Sequence, residues 1–134
     1  MAIQNFAYMV ESQKSVREAL ADVWQAALRA NWVVLGDYDL SGILMGESAS
    51  QTNDVKSIDI CSPEYARRFI QTERLTALCM PCNVLVFREN GKTFIATMRP
   101  AVMLPELFPK TLSELTHESK KVEQELRAII DAAK

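Results

Sequence analysis

Cysteine is scarce in this chain of 134 residues: there are three, an odd number, and no disulfide framework can be built from them. Glycine is scarcer than usual, and Gly36, Gly42, Gly46 and Gly91 stand far apart, so there is no glycine-rich loop to cradle a phosphate. A single histidine, His117, leaves a cysteine nucleophile without an evident base. Positive charge is not in excess either. Fifteen basic against seventeen acidic residues give a net charge of −2, and the only basic pairs, Arg67-Arg68 and Lys120-Lys121, fall in helical patterns. We therefore expect no nucleic-acid partner. No apolar run approaches the ~18 residues of a membrane span. The first residues carry no base before Lys14 and no apolar core of signal length, and Ala2 excludes N-myristoylation. The expectation is a reduced, cytoplasmic, soluble protein.

What is present is enough for one domain, residues 1–134, with a real core. The clearest local signal is Asn83–Arg88 and Lys92–Thr97 joined by Glu89-Asn90-Gly91, a hairpin whose Asn-Gly tolerates the positive φ of a type I′ turn. Val84 to Phe87 are apolar on both parities, which predicts a mid-sheet strand covered on both faces. Earlier in the chain, Ile3–Val10 reads as a first strand. Ser15 and Glu18 form a capping box, and behind it Val16, Leu20, Val23, Trp24 and Ala27 make an amphipathic helix with Trp24 as its core anchor. Trp32 to Asp39 reads as a second, well-covered strand, followed by a helical turn Ser41–Met45 capped by Asp39 and ended by Gly46. Glu47 to Asp54 reads as a loop, and Val55 to Cys61 as a third strand. Ser62-Pro63 starts a helix with Tyr65, Ala66, Phe69 and Ile70 as its buried stripe. Arg99-Pro100 and Leu104-Pro105 predict an extended segment. A last helix opening at Thr111 carries Leu115, Val122, Leu126, Ile129, Ile130 and Ala133 as a stripe for the sheet, with Glu123 and Arg127 as an i,i+4 pair.

Three groups of residues taken together carry a resemblance. These are Asn31-Trp32-Val33-Val34-Leu35 with Tyr38-Asp39, then Ile60-Cys61-Ser62-Pro63 with Ala66, then Pro81-Cys82-Asn83-Val84 with Pro100 and Met103-Leu104. In order and spacing they resemble domain-of-unknown-function family 302 over nearly the whole chain. The resemblance implies an α+β fold of β-α-β4-α type, an antiparallel sheet with helices packed on one face, and it suggests a homodimer. It implies no established activity. Ser62 stands where the family more often has asparagine, and Cys79 where it has an aliphatic residue, so the Cys79-Met80-Pro81-Cys82 motif is this chain's own.

Cys61, Cys79, Cys82 and His117 have the number and kind of ligands for a Cys3His zinc site, but only Cys79 and Cys82 are close in sequence. Copper(I) is a variant, since Met80, Met98 and Met103 lie in the same part of the chain and thioethers suit a soft ion. The plain alternative is that the cysteines are small buried hydrophobes, the methionines core filler and His117 a surface residue. Asp59 shares strand parity with Cys61 and would raise its thiol pKa. For Cys79 and Cys82, an extended motif running into a strand predicts ~10 Å between Cα atoms and opposite parities, unlike a redox pair. The leading reading is a small domain that binds a ligand or partner and is not an enzyme, with Cys61, Cys82 and Asn83 as candidate ligand-binding residues and no cofactor required. The alternative is a thiol or soft-metal (zinc or copper) protein using Cys61, Cys82 and Cys79.

Overall fold

The computed structural model describes residues 5–45, 54–110 and 114–134. In chain order these form β1 (Ala7–Ser12), α1 (Val16–Arg29), β2 (Val33–Asp39), α2 (Leu40–Met45), β3 (Val55–Cys61), α3 (Pro63–Thr72), a 3-10 helix (Arg74–Cys79), β4 (Cys82–Glu89), β5 (Lys92–Met98), α4 (Pro100–Leu107) and α5 (Thr116–Ala133). The five strands make one antiparallel sheet in the order β1-β5-β4-β3-β2. The expected class is thus the observed one, with the short helices inserted between the strands.

Period-two patterning sets the two faces of this sheet. Ile58 and Ile60 of β3, Val84 and Val86 of β4, and Ile95 of β5 share one face and are fully buried. Each such side chain contributes about 1.5–3 kcal/mol by leaving water. α1 lies across this face, and α5 packs on α1 and α4 and reaches β1. The opposite face carries Met9, Leu85, Phe87, Phe94, Ala96 and Met98, half-buried or exposed, with the Phe87 and Phe94 rings stacked 5.5 Å apart. β4 is therefore mid-sheet as expected but fully covered on one face only. β2 is an edge strand with Val33 and Leu35 exposed, which corrects the expectation of a covered one. The hairpin forms as read: Glu89 pairs with Lys92, and Asn90 (φ 52°) and Gly91 (φ 75°) both take the positive φ of a type I′ turn.

The two ends of α1 explain what the chain does next. At its start Ser15 Oγ accepts from the Glu18 amide (3.1 Å) and donates to Glu18 Oε1 (3.0 Å). At its end Asn31 takes φ 63°, Asn31 N donates to Leu28 O and Trp32 N to Ala27 O, the two bonds of a Schellman motif. That turn buries Trp32 (2% exposed) while Trp24 is left at 37%. The core anchor is thus Trp32 and not Trp24. The helix face that meets the sheet is centred on the small residues Ala19, Val23, Ala26 and Ala27, which bring the helix close, and Trp24 falls at its margin.

Other expectations shift in position. The first strand runs Ala7–Ser12, with residues 1–4 outside the described set. Asp39 does cap α2, accepting from Gly42 N (3.1 Å) and Ser41 Oγ (2.9 Å), and these bonds hold its carboxyl below the usual range. Gly46 and the loop from Glu47 to Asn53 lie outside the described residues, as does the helix opening at Thr111 to Ser113; α5 begins at Thr116. All six residues of the α5 stripe are buried. They pack mainly on α1 and α4 rather than on the sheet, because α1 already occupies the sheet's centre.

Candidate functional site

At one end of the sheet, where β3 and β5 finish and β4 begins, the strands run out from under α1. α3, the 3-10 helix and α4 close around that end and leave a cavity of about 180 Å³. Its floor includes Trp32, delivered by the Schellman turn, and Phe69 from the buried face of α3. Its mouth carries Leu78 and Leu107, both exposed.

The α4 wall is a correction to the sequence reading. Pro100 does not extend the chain but occupies the first turn of α4, where its missing N–H is no loss, and Pro105 is accommodated within the helix. What holds this helix in place is Glu123 of α5, nearly buried, which accepts from Ala101 N (3.2 Å), Arg99 Nε (3.1 Å) and Arg127 Nε (3.2 Å). The expected Glu123–Arg127 pair is present, and it is one arm of a larger network. Arg127 also lies over the Tyr8 ring (4.4 Å), and Arg99 Nη1 donates to the Asn5 carbonyl (3.1 Å), so β1, α4 and α5 are tied together behind the cavity.

On the opposite wall Ser62 precedes α3 but its side chain makes no capping bond, so the expected serine cap is not realised. The helix relies on Pro63 at its first position. Phe69 is the buried member of its stripe, while Tyr65 and Ala66 are half-buried and Ile70 is exposed. The Cys79-Met80-Pro81-Cys82 motif joins the 3-10 helix to β4. Met80 is extended (φ −120°, ψ 148°), as its proline neighbour requires, and the Met80–Pro81 peptide is cis.

The structure brings Cys61, Cys79, Cys82 and Asn83 to this one cavity, together with Met80, Met98 and Met103. Two sequence inferences are corrected here. Cys61 is not remote from the other thiols, because β3 and β4 are neighbours and Ile60 pairs with Cys82. Cys79 and Cys82 are not on opposite strand parities, because Cys79 ends a 3-10 helix and only Cys82 is in the strand. His117 is exposed near the start of α5 and is not part of the lining. Among the described residues, no group of three or more His, Cys, Asp or Glu side chains is gathered as a metal-holding set. The thiols are unpaired.

The electrostatics of the site are those of an apolar cavity. Burial pushes the Cys61 and Cys79 thiols up. Cys82, on the core-facing parity of β4, is pushed up to about 12, first by burial and then by the neighbouring Cys61 and Cys79. All three are thiols at neutral pH. No lining residue carries a charge. The polar groups are mostly committed elsewhere: Trp32 Nε1 donates to Glu125 Oε1 (3.1 Å), Thr97 Oγ1 to the Asn83 carbonyl (2.9 Å), and Asn83 Nδ2 to Asp59 Oδ1 (3.0 Å). Sequence reasoning named Phe69 as a buried stripe residue and Trp32 and Leu104 only within the family resemblance, and did not bring them together with Leu78 and Leu107 as the walls of a site.

Comparison with known proteins extends the picture from the site to the whole chain. No curated protein matches. The fold matches the crystal structure of an uncharacterized conserved DUF302 protein from Bacillus stearothermophilus, with a TM-score of 0.86 at 22% identity, over 97% of this chain and 99% of that one. Residues 8–133 match the model of the family described as Domain of unknown function DUF302. With nearly every element of sheet, helix pair and cavity wall inside that match, the chain belongs to the DUF302 family.

Proposed function

We propose that this domain binds a small, uncharged ligand in the cavity at the end of its sheet and performs no chemistry on it. The observation that carries this reading is the cavity itself. About 180 Å³ is left open at the end of the sheet beside the packed core, and its lining has no charged side chain. Ligand sites have this character: apolar walls, few polar groups and an open mouth. Thiols held in the protonated form are poor nucleophiles, which supports binding over catalysis. Three unpaired thiols also fit a reducing, cytoplasmic setting.

Thermal denaturation in benzene, a probe of matching size, tests the reading. Benzene should raise the melting temperature of the parent and shift Ala66→Leu, which takes up part of the cavity, clearly less. No stabilisation of the parent, or equal stabilisation of both, would remove the proposal.

The second half of the reading is a homodimer, supported by the apolar sheet face that carries Met9, Leu85, Phe87 and Phe94. A monomer mass by light scattering at micromolar concentration would contradict it. A soft-metal role is the second reading, favoured by the collection of thiols and thioethers on one cavity. Its test is native mass spectrometry of protein exposed anaerobically to copper(I) and separately to zinc(II), where a stoichiometric metal adduct lost in the Cys61→Ser, Cys82→Ser double variant would establish it.

A further inference from the structure

We propose that the ligand is an uncharged, single-ring aromatic molecule. The inference rests on the reading of the cavity as a ligand site and goes on to name the chemical class. Size sets the first bound. A cavity of about 180 Å³ is slightly larger than the roughly 150 Å³ apolar cavity that accepts benzene in another protein. One ring with a small substituent fits that volume. Charge sets the second. With no ionic partner in the lining, a carboxylate, phosphate or ammonium would enter unpaired, at a desolvation cost that no contact here offsets.

The chemistry of the wall sets the third bound and is the reason for choosing an aromatic ring over a saturated one. All three cysteines and three of the six methionines of the chain line this cavity, with Trp32 and Phe69 beside them. Sulfur beside a ring edge and ring beside ring are favourable contacts available only to an aromatic ligand. A saturated ring in the same place gains dispersion alone. Where the molecule needs only to fill space it uses branched aliphatic residues, as at Ile58, Ile60, Val84, Val86 and Ile95 on the same sheet. Along the strands Ile60 gives way to Cys61 and Val84 to Cys82 where the cavity begins, and Leu78, Leu104, Leu107 and Val122 complete its wall.

The test compares benzene with cyclohexane by titration into the full chain. Transfer from water by itself favours cyclohexane, which has the larger apolar area, so size and hydrophobicity work against the proposal. We expect benzene to bind about tenfold more tightly, equivalent to about 1.4 kcal/mol. In a Met80→Leu, Met98→Leu, Met103→Leu variant, where volume is nearly conserved, benzene affinity should fall toward that of cyclohexane while cyclohexane affinity holds within about twofold. Should that variant fail to fold, the parent's ratio alone decides. Equal binding of the two rings, or tighter cyclohexane, overturns the aromatic assignment and leaves the ligand site standing. Failure of both rings to bind overturns both.

Discussion

The two ends of the sheet are built from the same strands and do different things. Under α1, Val84, Val86, Ile58, Ile60 and Ile95 close the space completely. A few residues along those strands, Cys61, Cys82, Thr97 and Met98 leave it open. The closed end has aliphatic side chains from adjacent strands facing a helix rich in alanine. The open end has Cys82 and Thr97 on the core-facing parity and Cys61 and Met98 at the strand ends, all lining the cavity that α3 and α4 close. This difference between the two ends is what the proposed ligand site rests on.

The largest effect that sharpens this contrast is truncation at the closed end. Ile95→Ala should cost about 2–5 kcal/mol in chemical denaturation, because the side chain is fully buried and its removal leaves a cavity. Truncating Met103 at the open end should cost clearly less, since the side chain already borders empty space. Similar losses at both positions would break the comparison.

Alkaline titration comes next. Folding holds the Cys82 proton up to about 12, whereas an unfolded cysteine loses it near pH 8.5. The unfolded state therefore sheds the proton first, and the stability from this group is whole below about pH 8.5 and is lost as pH rises through the window up to about 12. Between pH 8.5 and 10.5 the parent should lose on the order of 2 kcal/mol more than Cys82→Ala. Parallel pH profiles would mean that the cavity is wetter than its lining suggests.

Away from the cavity, Gly91→Val should cost about 1–2 kcal/mol. Nothing lies within 4 Å of the added Cβ, so the loss would come from forcing φ +75° on a β-branched residue. Thermal melts equal to the parent would contradict the turn. The smallest effect separates two serines at helix starts. Ser15→Ala, which removes a reciprocal cap, should cost about 1 kcal/mol, and Ser62→Ala, on the cavity wall, less than about 0.5. Equal losses would show Ser62 serving as a cap after all.

The closed end was the more legible of the two in the sequence, for a physical reason. Its elements are specified by local signals: the Asn90-Gly91 turn, the Ser15–Glu18 box, the alternation through Ile58 and Ile60, and the i,i+4 stripe of α5. The open end depends on residues far apart in the chain. α4 is anchored by Glu123, from another helix, which accepts from the Ala101 amide, and nothing near Pro100 announces that contact. The three thiols converge because β3 lies beside β4, which is a property of strand order and not of Cys-x-x-Cys spacing. The exchange of Trp24 for Trp32 has the same origin, since the helix face that meets the sheet is chosen by how closely alanine lets it approach.

Methionine methyl NMR during a benzene titration tests the central claim most directly, because the chain carries its own control. Met80 and Met103 line the cavity from outside the sheet, and Met9 lies on the open face of the sheet. A ligand site at the sheet end predicts saturable shifts of these two cavity methyls with Met9 unmoved. Shifts that follow Met9, or no saturable shift up to the solubility of benzene, would contradict it.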